Sequence, residues 1–263
     1  MRDAEGDAED VLVFATLGAA QRGRRRRGRH ARLAEGAGEA TAIPLTRATV
    51  VRAQAFGDEG EADAWLADLS RDRDARDAFA ADALALLNEA IHAQRAATMD
   101  PYLSELGAHE PAATRIGYGN GDQLATGRWT KAVDAPPDPG RSQRRVEALR
   151  PQERVGAVLA RRDRVLACET LVLRARADLD GGRPRDAAMQ LEAAVRAIGA
   201  ELGGATGTEQ QEDLGNVRGR LDELVRLREA ALKGELDADA PGTLAGVLEV
   251  CERILRRRRI LSA

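Results

Sequence analysis

Two groups of residues in this sequence combine types and spacings that chemistry could use. The first is Gly117-Tyr118-Gly119-Asn120-Gly121-Asp122, a glycine-rich loop after a predicted strand, with Arg115, Arg128 and Trp129 nearby in the chain. Backbone amides of such a loop, ahead of a short helix starting near Asp122, can hold an anion. The spacing departs from the dinucleotide fingerprint GxGxxG, whose third glycine lies one position later. Gly127-Arg128-Trp129 likewise lacks the Gly-Lys-Ser/Thr of a phosphate loop. A turn that needs positive φ angles therefore stands beside a phosphate-bearing ligand site as the alternative reading.

The second group is Arg162, Glu169 and Arg176. Val158, Val165, Val172 and Leu179 form one heptad-spaced ridge, and Leu159, Leu166 and Leu173 form another. At about 100° per residue along one helix, the three charged residues fall in the gap between the ridges. Burying them unpaired would cost several kcal/mol each. Either the ridges pack on different neighbours and the charges emerge between them, solvated or internally paired, or they form an ionic ladder inside a groove. In a groove, Arg162 and Arg176 would meet an anion or a peptide carboxylate.

Other chemistries find little support. His30, His92 and His109 are scattered; His109-Glu110 opens like a zinc-protease helix, but Pro111 follows and Ala113 stands where the second histidine belongs. Cys168 and Cys251 have no CxxC partner and fall on apolar helix faces, where cysteine is a small core residue. GxSxG is absent. No catalytic residue, metal or cofactor is expected.

Composition sets the frame for positioning these residues. The formal charge of −3 and pI near 5.8 exclude a globally basic nucleic-acid binder. Lys131 and Lys233 are the only lysines, so an arginine patch reflects composition before it reflects a ligand. All seven aromatic residues lie at or before Trp129, so whatever follows must build its core from aliphatic side chains. Val11–Ala20 is about half a membrane span and follows acidic residues, so neither a span nor a secretion signal is read there. A cytoplasmic protein without a membrane segment is expected.

Along the chain, residues 1–44 read as a disordered tail containing seven arginines between Arg22 and Arg32. Residues 45–133 read as a small α/β or α+β domain: a strand at Ala48–Ala53, an amphipathic helix through Ala62, Trp65, Leu66 and Leu69, a helix from about Arg73 to Thr98, and a strand at Thr114–Tyr118. Residues 134–144 are a proline-rich linker. Residues 145–263 read as four helices, an antiparallel bundle or two stacked hairpins: Pro151 to about Asp180, Pro184 to Leu202, one opening with Thr208 and Gln211 as a capping box and carrying Leu214, Val217, Leu221, Leu224 and Leu232, and one after Pro241-Gly242. The fold class is thus mainly α.

The first helical hairpin resembles one helix pair of a tetratricopeptide repeat over roughly 30 residues. Leu171, Ala175, Ala187, Leu191 and Ala194 match its small and apolar positions, with Gly182 in the turn. Arg174 and Asp178 depart from it, and no second copy follows at the roughly 34-residue period. The functional expectation is a non-enzymatic module that binds a protein partner or a second copy of itself through the helical domain. The alternatives are an arginine-dependent nucleic-acid or polyanion binder, using residues 22–32 and Arg256–Arg259, and a phosphate-bearing ligand at the Gly117–Gly121 loop.

Overall fold

The computed structural model describes residues 10–17, 45–136, 151–204 and 208–261. The chain divides into two compact units, residues 1–137 and 138–263. It is mainly α, with nine helices among the described residues.

In the first unit, β1 (Asp10–Leu17) pairs antiparallel with β2 (Leu45–Arg52), from Asp10 opposite Arg52 to Leu17 opposite Leu45. Strand β1 lies inside the stretch read as a tail and corrects that reading for its eight residues. Val11, Val13 and Phe14 suit a pleated surface, but their partner lies beyond residue 44, where no local pattern points to it. The remainder of that stretch, Arg22–Arg32 included, lies outside the described residues.

Helix α1 (Glu59–Arg71) starts at Asp58, whose carboxylate accepts the Glu61 N–H at 2.8 Å. Asp72 both ends α1 and caps α2 (Arg73–Thr98), accepting the Ala75 N–H at 3.0 Å. Helix α2 stops at Met99, which is left-handed, just before Asp100-Pro101. Strands β3 (Arg115–Tyr118) and β4 (Lys131–Asp134) pair antiparallel around the short α3 (Gly121–Ala125). Strand β4 adds to the strand–helix–helix–strand reading, and it runs through Asp134 to a buried Ala135.

Ala62, Leu66 and Leu69 of α1 are buried, as are Ile116 and Tyr118 of β3. Trp65 lies between Phe56 and Phe79, with ring centroids 5.3 and 5.6 Å away. The α2 stripe Phe79, Ala83, Leu87, Ala90 and Ile91 is only half-buried, and α2 buries no residue fully.

The second unit contains α4 (Pro151–Leu159), α5 (Ala167–Asp180), α6 (Pro184–Leu202), α7 (Thr208–Gly219), α8 (Leu221–Lys233) and α9 (Ala240–Leu261). Helix α6 is central, meeting α5, α7, α8 and α9. Ala187, Ala188, Leu191, Ala194, Val195, Ile198 and Leu202 of α6 are all buried. Ala175 of α5 is also buried, and small residues let neighbouring helices approach closely. Gly182, at φ +69°, makes the α5–α6 turn, and Pro184 starts α6. Leu244, Val247, Leu248, Cys251, Ile254 and Leu255 form the buried face of α9.

Two expected helices are broken. The segment from Pro151 to Asp180 divides into α4 and α5 at residues 160–166, and the third helix divides into α7 and α8 at Arg220. In the latter, Ala231 takes the buried position expected of Leu232, which is 61% exposed. Neither break contains proline.

At Gly117 an added Cβ would strike the Lys131 carbonyl oxygen and Ala132 across the hairpin. Trp65 and Trp129 report on this unit alone, because both tryptophans lie within it. Gly117→Ala is expected to destabilise it by roughly 1–3 kcal/mol, read as a lower tryptophan-fluorescence midpoint in urea. An unchanged midpoint would mean that the β3–β4 backbones are not held this close.

Candidate functional site

The Gly117–Gly121 loop does not assemble an anion cradle from its expected parts. Gly117 lies in β3 and is needed for the close approach of β4, not for a positive φ. Of the three loop glycines only Gly121, at φ +26°, lies in the left-handed region. Arg115 is paired across the hairpin with Asp134 at 2.8 Å. Arg128 is exposed and Trp129 half-buried. The α3 amides of Gln123 and Leu124 are taken by the Asn120 carbonyl.

The polar cluster in this unit is one that motif reasoning missed. Asp63 on α1 accepts from the Tyr118 hydroxyl of β3 and from Lys131 Nζ of β4, the latter at 2.8 and 2.7 Å. The hydrogen bond from Lys131, then that from Tyr118, holds the Asp63 carboxyl below the usual carboxylate range. The same bonds hold the Tyr118 and Lys131 protons in place. This cluster ties a helix to a hairpin. Its proton affinities are moved away from neutrality, the opposite of what general acid–base work requires.

In the second unit, the three ladder residues are separated by the break before α5. Arg162 is exposed in the turn, Glu169 is 1% exposed in the first turn of α5, and Arg176 pairs with Glu252 of α9 at 2.8 Å and with Asp180 at 3.5 Å. The break is built from hydrogen bonds. Arg161 takes φ +57°, the position a glycine usually fills after a helix, and the Arg162 N–H returns to the Ala157 carbonyl at 2.8 Å. The first amides of α5 are then met by carboxylates. Glu169 accepts the Leu166 N–H at 2.9 Å, and Glu201 from the end of α6 accepts those of Ala167 and Cys168 at 3.1 and 2.9 Å. In one continuous helix those amides would have gone to carbonyls four residues back.

Glu169 is the hub. Arg154 of α4 grips it with a two-pronged fork, both bonds 2.7 Å, and Arg258 of α9 reaches the same carboxylate at 3.4 Å. Asp163 in the turn also meets both arginines, at 3.2 and 3.8 Å. Burial alone would push the Glu169 carboxyl up. The Arg154 fork, the Leu166 N–H and the two arginine charges override it and hold the carboxyl low. The Arg164 N–H holds Asp163 low, and the Cys168 N–H holds Glu201 low. The thiols of Cys168 and Cys251, both fully buried, are pushed up to about 12, chiefly by burial.

The arginines of α9 also differ from expectation. A helix dipole accounts for their position, but Arg253 and Arg257 bind the nearly buried Asp213 of α7 at 3.3 and 2.7 Å, and Arg258 binds the hub. They join helices. A pocket of about 390 Å³ opens beside the hub, walled by Arg161, Arg162, Arg164 and Arg258 with Asp163, Glu201, Leu166 and Leu202.

No family model, curated protein or solved structure matches the chain. Fold and site therefore define it only as a mainly α chain whose helical unit is organised around an internal ion-pair hub. Among the described residues no helix is long and apolar enough to cross a membrane.

Glu169 has a folded-state pKa below its unfolded value. Its contribution to stability is therefore complete above about pH 4.3 and lost as pH falls through the folded value. Glu169→Gln is expected to cost roughly 3 kcal/mol at neutral pH, with the gap to the wild type closing below about pH 4. Urea unfolding followed by far-UV circular dichroism at several pH values checks this. A gap that stays constant down to pH 3 would show that the charge on Glu169 does not hold the helices.

Proposed function

We propose that this is a non-enzymatic cytoplasmic protein whose helical unit binds a protein partner or a second copy of itself. One observation carries the reading: α4 buries no residue, and Val155 and Leu159, one helical turn apart, are 57% and 79% exposed. Half-burial in α4 falls on Arg154, Ala157 and Val158, and Arg154 supplies the ion pairs to Asp163 and Glu169. A helix docked mainly through one side chain leaves its apolar positions available for a second surface.

Two further features favour this reading over catalysis and over polyanion binding. Every titratable group whose pKa is displaced moves away from neutrality, which suits structural ion pairs better than proton transfer. Arg257 and Arg258 of the final helix, which a nucleic-acid reading would use, are engaged with carboxylates of the same unit.

Leu159→Asp tests the reading with little risk to the fold, since a surface change of this kind typically alters stability by about 0.5 kcal/mol or less. The full chain is expected to sediment as an oligomer or with a stoichiometric partner, and Leu159→Asp to lose that association at an unchanged melting temperature. Identical monomeric behaviour of both proteins, with nothing retained by either, would remove α4 as an interaction surface.

A further inference from the structure

The pocket beside the hub has a property that the interaction reading does not use. Most described arginines of the helical unit are occupied by carboxylates or carbonyls: Arg154, Arg176, Arg183, Arg185, Arg253 and Arg257 are examples. Arg161, Arg162 and Arg164 are exposed, and among the described residues their guanidinium groups make no hydrogen bond or ion pair. The other described arginines of this unit in that condition, Arg174, Arg218, Arg226 and Arg256, sit singly on four different helices. Three open guanidinium groups within four residues, on the wall of one pocket, form a local concentration of positive charge in a chain of net charge −3.

The two acids in the wall offset that charge only in part, the Arg164 guanidinium helping to hold the Glu201 carboxyl low. Asp163 is bonded to the Arg164 N–H at 2.7 Å and to Arg154, and Glu201 is spent on the Ala167 and Cys168 amides. Arg154 and Arg258 balance Asp163 and Glu169, so Arg161, Arg162 and Arg164 against Glu201 leave an excess of two positive charges. Arg161 occupies a left-handed position where glycine costs less, in a chain with 26 glycines.

We propose that the turn between α4 and α5 is a binding site for a phosphate-class dianion, held by the guanidinium groups of Arg161, Arg162 and Arg164. A carboxylate occupies one guanidinium fork. Three forks and two excess charges match the three oxygens and double charge of a phosphate or phosphate monoester better. The volume suits a small ligand.

The test uses the full chain at constant low ionic strength, with inorganic phosphate and phenyl phosphate as probes and sulfate as the control anion. Binding is read from 31P line broadening and from the melting temperature. Saturable binding of either phosphate is expected, weakened roughly tenfold or more in Arg162→Ala/Arg164→Ala. Arg226→Ala/Arg256→Ala, which removes two isolated open arginines, is expected to bind as the wild type does. Tighter binding of phenyl phosphate identifies an ester ligand, and equal binding identifies the free ion. The site is overturned if neither probe saturates in the millimolar range, if sulfate binds equally well, or if both double variants weaken binding alike. Because the readout is anion binding, failure here is distinct from failure of the α4 surface.

Discussion

A carboxylate taken out of water costs several kcal/mol unless charges and hydrogen-bond donors replace its hydration, and Glu169 is the side chain on which the helical unit meets that cost. Its replacements come from three places in the chain: the Arg154 fork on α4, the Arg258 guanidinium on α9, and the Leu166 amide at the start of its own helix. This one requirement has several consequences. The chain must turn before Leu166 so that the amide is free, which ends α4 and places Arg161 in the left-handed region. Helix α4 must lie where Arg154 reaches the hub, although it has no buried face of its own to hold it there. The last turns of α9 must be cationic on the side facing α5.

The core beneath the hub works by different physics. It is built from leucine, valine, isoleucine, alanine and cysteine, with no aromatic residue. Small side chains such as Ala175, Ala187 and Ala194 bring helices near one another, but they make contacts that many registers would satisfy. Ion pairs such as Arg176–Glu252 and Arg257–Asp213 are directional, and they give each helix a defined register along α9. The first unit shows the same division on a smaller scale. There, an aromatic chain from Phe56 through Trp65 to Phe79 supplies area, while Asp63 gathers donors from β3 and β4. In each unit buried or half-buried carboxylates join elements that the apolar contacts alone would leave loosely placed.

Helix α6 was legible in the sequence because Pro184, a clean apolar stripe and Gly203 all mark the same element. Helix α2 was legible for similar reasons, from its start at Arg73 to the Asp100-Pro101 stop. The break at 160–166 was not legible, since helix-breaking residues are absent there and the heptad ridges run straight through it, whereas at Arg220 the signal was Gly219, which closes α7. What divides the first helix is competition for backbone amides by Glu169 and Glu201, and Glu201 lies more than thirty residues away. The ladder of Arg162, Glu169 and Arg176 presupposed an unbroken helix and dissolves with it. Strand β1 was missed because its partner lies beyond residue 44. At the hub, the sequence singled out Glu169, and Arg258 only as one of the last helix's terminal arginines, but not Arg154 or Asp163, because the convergence depends on tertiary packing.

Arginine is so frequent in this chain that its presence at a position carries little information. What a given arginine touches carries more. A guanidinium group that neutralises a buried carboxylate is already explained by the fold, and on that ground Arg253, Arg257 and Arg258 cease to resemble a nucleic-acid surface. The same sorting gives the turn at Arg161–Arg164 its weight. Compositional bias would scatter unsatisfied arginines over the surface, as it does for Arg174, Arg218, Arg226 and Arg256. It does not account for three of them together on one pocket wall, one at a backbone angle that glycine would adopt at lower cost. Beside them, Asp163 is bound to an amide, to Arg154 and to Arg258, and Glu201 to two amides and the Arg164 charge, so the turn cancels only part of its positive charge internally. The positive charge left in excess over these adjacent carboxylates is the physical ground for treating this turn as a binding surface.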